Sequence, residues 1–478
     1  MIELTLAQVA AACGGELVLA AGDSAETTVE GIVQTDSRLV VPGGVFFAMV
    51  GEATDGHLFV GSAVANGALL VIAERRMDTI VSQVVVPDGT VALAGLARTV
   101  VAKVRSAGDL TVVGITGSNG KTTTKNLLRA ILADVAPTIA PAGSLNNHIG
   151  APLSMLGITS GTRYLIVEMG ASGEGEIARL VDIAMPDISV VLKVGLAHAG
   201  EFGGIEATQR AKSEIVTRLP PTAVAILNAD DDRVAAMAGQ TAARVVWFGL
   251  GSDVAAGSGD LRADDVDATV DGTTFMLHSR TADGVASALP VRMRILGEHH
   301  VMNALAALSV AHVLGLDLAR AVSVIEQVAR AERWRMEVLE LAPGITVIND
   351  AYNASPDSTA AALKTLAQIA RSGRRSIAVL GEMAELGEYS REEHDRIGRL
   401  IVRLNVSQLV VVGQGARHIH NAAGLEGSWD GESVLVDTAE EAFELLAGTL
   451  REGDVVLVKS SKSSGLRFLG DRLGGVTA

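Results

Sequence analysis

Short apolar runs bounded by Gly, Asp and Asn recur along the whole chain, and their spacing divides it into three regions. In residues 1–86 the runs are brief and broken by Gly and Asp, as at Val45–Met49 and at Ala68–Ile72, which follows Asn66-Gly67. This pattern predicts a small α/β domain. Val91–Arg105 has helical periodicity and leads into a second region. There Leu110–Thr116, Tyr164–Glu168, Ile188–Val194 and Val224–Leu227 are β-branched runs of the length expected for buried strands. Helical patterns such as Lys121–Asp134 lie between several of them, so a mostly parallel sheet covered by helices is expected. Residues 251–295 are polar and Gly/Asp-rich with weak alternation, which fits either an added antiparallel patch or a long excursion. A third region starts near Arg333. Ile345–Ile348, Ser376–Leu380, Leu409–Val412 and Val455–Val458 predict a second doubly wound α/β unit. The resulting division is 1–86, 87–331 and 332–478.

Composition narrows the class without naming a chemistry. A chain of 478 residues exceeds the roughly 100–200 residues of a typical domain, so several cores are expected. Hydrophobic residues make up 48% and charged residues 20%, an ordinary globular balance. Aromatics are only 3%, so the cores must be built from Ala, Val, Leu and Ile. A net charge of -16 with no Lys/Arg-rich run argues against nucleic acid as a partner. The single cysteine, Cys13, precludes an intramolecular disulfide and suits a reducing compartment. The start lacks the basic stretch of a secretion signal, and no run reaches the ~18 apolar residues of a membrane span. A cytoplasmic protein is expected, with monomer as the default state.

The strongest local signal is Gly117-Ser118-Asn119-Gly120-Lys121-Thr122-Thr123. A buried strand enters a Gly-rich turn and a helix begins at about Lys121. That order aims free backbone N–H groups and the positive helix end at an anion. Gly117 and Gly120 let the backbone approach phosphate oxygens, Lys121 supplies a point charge, and the Thr122 hydroxyl suits Mg²⁺. The common spacing would place Gly at 115, where this chain has Ile115, so the loop is a variant.

Other candidates are ambiguous alone. Glu168 closes a strand, where it fits either a Mg²⁺ ligand or a capping or solvated carboxylate. His198 lies just past another strand end and reads as a hydrogen-bonded structural residue or a ligand. Lys212 by itself would be a solvated helix lysine. His299 and Asn303 are four residues apart, on one helix face if a helix forms there; adenine recognition and helix capping both fit. Asp350 follows the strand Ile345–Ile348 in Asn349-Asp350-Ala-Tyr352-Asn353, a loop open to a functional or a merely connecting role.

Together these segments resemble the Mur ligase family, from Gln34 to Arg467. The motifs that carry the resemblance are Thr35-Asp-Ser37-Arg38 with Gly51–Phe59, the phosphate loop itself, Asn146-Asn147 and Val167-Glu-Met-Gly170. Ala197-His198, Ala211-Lys-Ser-Glu214, Trp334-Arg335-Met-Glu337, Asp350–Asp357, Gly381–Gly387 and Val458–Lys462 complete the set. The resemblance implies a three-domain α/β architecture: a small N-terminal domain for a uridine nucleotide, a central phosphate-loop domain for ATP, and a Rossmann-like C-terminal domain for the incoming amine. It is closest to the branch that adds D-alanyl-D-alanine to UDP-N-acetylmuramoyl-tripeptide. The implied chemistry is ATP-driven formation of an acyl phosphate followed by amide-bond formation. The implied roles are phosphoryl-charge neutralisation by Lys121 and Arg335, and Mg²⁺ binding at two sites by Thr122, Glu168, His198 and a carbamylated Lys212. ATP would meet Ser118, Asn119, Thr123, His299, Asn303 and Asp350. Ser37 and Arg38 would face the uridine diphosphate, and Asn146, Asn147, Tyr352, Asn353 and Lys459 the other substrate groups. Lys193, Glu298 and Lys462 depart from residues common in the family. A folylpolyglutamate synthetase shares the general plan but should lack the segment Thr35–Phe59, and a phosphate-loop ATPase would hydrolyse ATP without an amine.

Overall fold

The computed structural model describes all residues except 52–53, 197–202, 251–259, 281–285, 331, 342–343, 372, 427–428 and 477–478. Each predicted region carries its own sheet. In the first, strands Glu16–Val18, Ser82–Val85, Ala68–Ala73, Gly44–Ala48 and Val33–Gln34 form a five-stranded sheet in that order. All neighbours in it are parallel except the first pair. Gly44–Ala48 is buried along its whole length, as a strand covered on both faces must be.

The second sheet has nine strands. The phosphate-loop strand Thr111–Thr116 lies between Ile188–Val191 and Tyr164–Glu168, parallel to both. Outward on one side come Val224–Asn228 and Arg244–Leu250, also parallel. The sheet then changes character: Leu261–Thr269, Gly272–Arg280 and Ala286–Met293 pair antiparallel along its edge. Among the described residues, the region with weak alternation is therefore an added antiparallel patch; residues 251–259 lie outside the described set. Arg244–Leu250 and the two-residue edge strand Thr138–Ile139 were not expected from the sequence.

The last sheet has six strands, in the order Glu337–Leu341, Ile345–Asn349, Val455–Lys459, Ser376–Leu380, Gln408–Val412, Glu432–Val436. Only its first pair is antiparallel. The outer strands escaped prediction because one carries Glu337 and Glu340 and the other is half exposed.

The helix Gly89–Ala107 starts at Asp88, whose carboxylate accepts the N–H groups of Thr90 and Val91. It buries Leu93, Leu96, Val100 and Val104 in one cluster that runs from Leu4 through Phe47 to Leu165 and Leu227. The first region and one face of the central sheet thus share a core. Among the described residues no helix is long and apolar enough to cross a membrane.

Gly95 on this helix lies against the helix Leu6–Cys13, where an added Cβ would sit 2.3 Å from the Ala12 carbonyl oxygen. Gly95→Ala should therefore lower stability by about 1–3 kcal/mol, because the two helices cannot part without opening the shared core. A thermal-unfolding midpoint equal to that of the parent would contradict this packing.

Candidate active site

The phosphate loop is built by two glycines in the left-handed region. Gly117 has φ 153° and an added Cβ would lie 2.9 Å from Leu192 Cβ; Gly120 has φ 87° and would collide with Asn303 Oδ1. Both turns require glycine. The helix Lys121–Ala133 follows with no side chain capping its N-terminus, so its leading N–H groups stay available to an anion. Lys121 folds back, its Nζ donating to the Gly117 carbonyl at 2.7 Å. Burial holds its pKa below the ordinary lysine value, against an upward pull from Glu168.

Glu168 stands in register with Ile115 on the adjacent strand and is 1% exposed. The capping and solvated readings of this residue are thus excluded. Its Oε1 accepts from Asn146 Nδ2 at 2.8 Å and from the Thr122 hydroxyl at 3.3 Å, while its Oε2 has no partner. A buried carboxylate oxygen without a partner beside a hydroxyl suits a hard cation. No group of three or more His, Cys, Asp or Glu that could hold a metal occurs among the described residues.

Lys212 is buried on the helix Ile205–Thr217, not a solvated lysine, and burial brings its pKa down to about 7, with the Lys121 charge pushing the same way. It is not part of the cavity lining described below. His198 lies outside the described residues.

The last region closes over this loop. Its sheet presents Asp350, just past Ile345–Asn349, and Lys459, at the end of the neighbouring parallel strand. Their side chains pair at 2.6 Å, and the ammonium also donates to the Asn353 carbonyl at 3.1 Å. Arg335 reaches across to the Thr122 hydroxyl at 3.4 Å and stacks on the Tyr352 ring with its guanidinium carbon 4.5 Å from the centroid. Tyr352 and Ser144 hydroxyls meet at 2.8 Å, and the Ser355 hydroxyl donates to Asn119 Oδ1 at 3.1 Å. Lys193 and Glu298, two of the departures, also face this side: Lys193 stands 3.7 Å from Asp357, and Glu298 accepts from Gln368 at 2.5 Å.

Between the carboxyl edges of the two sheets lies a cavity of about 380 Å³. It gathers the loop residues Ser118, Asn119, Gly120, Lys121, Thr122 and Thr123 with Asn146 and Glu168. From the opposite side come Arg335, Asp350, Tyr352, Asn353 and Lys459. His299 and Asn303 line it too. The helix Glu298–Val313 is capped by Gly297 without a side-chain bond, so neither residue is a cap. Asn303 instead faces the loop, close to Thr124 Oγ1 (3.4 Å) and His300 Nδ1 (3.1 Å). Burial lowers His299 to about 4 and holds His300 well below the ordinary imidazole value, which favours neutral rings.

Some predicted residues are elsewhere. Asn147 is not in the lining; its Oδ1 accepts the N–H groups of Ile149 and Gly150, just ahead of the short helix Gly150–Met155. Ser37 and Arg38 belong to the first region, where Arg38 is exposed and paired with its own neighbour Asp36 at 2.6 Å. In the accompanying motif, residues 52–53 lie outside the described set. Lys125 was missed. It is buried one turn after Lys121, donating to the carbonyls of Pro141 (2.8 Å) and Gly143 (2.5 Å), and so holds the segment that carries Ser144 and Asn146. Its spacing of four from Lys121 was the available signal. Glu385 and Lys462, also in the lining, had none beyond their motifs.

Two α/β units that share one phosphate-loop cavity define a nucleotide-dependent enzyme assembled across a domain seam. The chain belongs to the Mur ligase family. Residues 31–107 match the family's catalytic domain, 115–311 its middle domain and 334–462 its glutamate ligase domain. It is 43% identical to UDP-N-acetylmuramoyl-tripeptide–D-alanyl-D-alanine ligase of Mycobacterium bovis, covering 99% of this chain and 98% of that one. The Escherichia coli protein of the same name is 32% identical, with 98% and 97% covered. A crystal structure of MurF from Acinetobacter baumannii superposes with TM-score 0.87 at 32% identity over 99% of both chains. MurF of Thermotoga maritima in complex with ADP superposes with TM-score 0.80 at 28% identity over 94% of this chain and 98% of that one.

Lys459→Met would leave the Asp350 carboxylate, 13% exposed, without its ammonium. The expected cost is about 3 kcal/mol, and Asp350→Asn in the same chain should recover part of it. An unchanged urea midpoint for the single variant would show that the pair does not support the fold.

Proposed function

We propose that this chain is an ATP-dependent ligase that joins the tripeptide carboxylate of UDP-N-acetylmuramoyl-tripeptide to the amine of D-alanyl-D-alanine in peptidoglycan precursor synthesis. The observation that carries the reading is that Lys121, folded against the phosphate loop, and Arg335, which reaches Thr122 from the last region, line one cavity. Cations fixed on both sides of one cavity suit a phosphoryl group passing between two substrates.

The tripeptide carboxylate attacks the γ-phosphorus of ATP; an O–P bond forms, the bond to ADP breaks, and an acyl phosphate results. The dipeptide amine then adds to the acyl carbon, loses its proton and expels phosphate. Lys121 and Arg335 neutralise the equatorial oxygens in the first step, and the leading N–H groups of the helix Lys121–Ala133 hold the nucleotide phosphates. Glu168 and Thr122 would hold Mg²⁺, which when bound supplies charge to the phosphate oxygens. His299, Asn303 and Asp350 face the nucleotide, with Tyr352, Asn353 and Lys459 on the dipeptide side of the cavity. Ser37 and Arg38 bind the uridine diphosphate, and Asn146 and Asn147 border the tripeptide.

In this reading residues 1–86 hold the uridine nucleotide, 87–331 ATP and 332–478 the dipeptide, and the protein works as a cytoplasmic monomer. Because different regions hold the reactants, chemistry waits for the seam to close. Burial and the Lys121 charge bring Lys212 to about 7, which favours the neutral amine that attacks CO₂. A C–N bond forms, a proton leaves, and the resulting carbamate would hold a second Mg²⁺ together with His198.

Phosphate release from ATP, followed with the uridine-linked tripeptide present, should rise strongly when D-alanyl-D-alanine is added. Equal release with neither substrate would leave only an ATPase. Lys212→Ala should lose about 10- to 100-fold in turnover and regain part of it in the presence of short carboxylic acids. Full activity in the untreated variant would remove the carbamate from the mechanism.

A further inference from the structure

Arg335 sits between two residues in a backbone conformation that bulky side chains seldom adopt: Trp334 has φ 58° and Met336 has φ 49°. Such a segment persists only where its surroundings hold it. The restraints are visible. The Met336 N–H donates to Asp350 Oδ1 at 3.1 Å, the Trp334 N–H to Glu337 Oε2 at 2.9 Å, and the Tyr352 N–H to the Trp334 carbonyl at 3.1 Å. All of these come from nearby in the chain or from the loop after strand Ile345–Asn349.

One restraint comes from far away. The indole N–H of Trp334 donates to both carboxylate oxygens of Asp471 at 3.0 Å. Asp471 belongs to the helix Leu466–Leu473, near the carboxyl end of the chain. It also takes the Arg333 guanidinium at 3.0 Å and the Asn349 amide at 3.0 Å. Asn349 is wholly buried beside Gly470, where an added Cβ would lie 2.4 Å from its side chain. The indole ring is further flanked by Arg333 at 4.8 Å, Arg467 at 5.5 Å and Phe468 edge-on at 6.2 Å. The carboxylate is 13% exposed, so its bonds are not diluted by water.

We propose that Asp471 is a positioning residue for Arg335: by anchoring the Trp334 indole, it holds the left-handed turn that delivers the Arg335 guanidinium across the seam to Thr122. This rests on the reading of Arg335 as a phosphoryl-neutralising group. Without the anchor, Trp334 relaxes toward ordinary backbone conformations, and the arginine one residue on leaves the phosphate loop. Arg333 and Asn349 keep the carboxylate oriented, so the last helix acts as a brace on the segment entering the last region.

The test is a double-variant cycle in the full-length protein, reading kcat, the KM for each substrate and the thermal midpoint. Asp471→Ala should lower kcat by about 10- to 100-fold, as a small misplacement of a charged group does, with KM for the uridine-linked tripeptide unchanged. Asp471→Asn, which keeps an acceptor for the indole, should restore part of the loss. In an Arg335→Ala background Asp471→Ala should cost almost nothing more in kcat. Losses that multiply in full, or a normal kcat in Asp471→Ala, would overturn the proposal. Normal turnover in Arg335→Ala alone would instead overturn the role of Arg335. If Asp471→Ala gives no folded protein, Trp334→Phe removes the donor while keeping an aromatic ring and should reproduce a smaller kcat loss that also vanishes in the Arg335→Ala background.

Discussion

The site depends on one buried carboxylate. Glu168 is almost inaccessible to solvent, and a charge taken out of water costs several kcal/mol unless its surroundings compensate. The compensation comes from the elements that would bind a nucleotide: the Thr122 hydroxyl at the start of the loop helix, the Asn146 amide, and the fields of Lys121 and Lys125. Lys125 in turn ties the helix to the carbonyls of Pro141 and Gly143, and the same segment carries Ser144 to the Tyr352 hydroxyl. A short run of polar contacts therefore connects the metal-side carboxylate to the last region. Oε2 of Glu168, Nδ2 of Asn119 and Nε of Arg335 are buried without protein partners, an acceptor suited to a cation and two donors suited to an anion.

Closure is the second theme. The two sheets turn their carboxyl edges toward each other, the edge at which open α/β sheets bind ligands. Small residues let them approach. Gly195 leaves room for the Asp357 carboxylate, and Gly297 for the Thr365 hydroxyl. The contacts across the seam include single hydrogen bonds, a loose ion pair and the packing of Leu296 into the core of the last region. In the proposed mechanism this seam opens to admit substrates and shuts for chemistry. The first region, by contrast, shares a continuous apolar core with the central sheet and has no comparable freedom.

Local signals were legible. The strands Tyr164–Glu168 and Ser376–Leu380 have the predicted bounds because each is a β-branched run buried on both faces. The loop Gly117–Thr123 was readable because its function needs a strand, a glycine turn and a helix in that order along the chain. Arg244–Leu250 and Glu432–Val436 were not, since they carry exposed or half-exposed positions that blur the apolar run. Lys212 shows the limit most clearly. Its helix has ordinary polar neighbours in sequence, and only packing around Ala207 and Ala211 reveals that the amine is buried.

The three-region plan, the phosphate loop and the family are legible along the chain, because they reside in the order of neighbouring residues and in motifs that survive as short strings. The tertiary structure alone decided that Arg335 meets Thr122, that Asp350 pairs with Lys459, and that Asp471 anchors Trp334. It also decided that Asn147 bonds the backbone of Ile149 and Gly150 while Asn146 serves Glu168. Those pairings join residues up to 213 positions apart. No periodicity encodes them, since they follow from sheet order and from how two packed units leave room for each other.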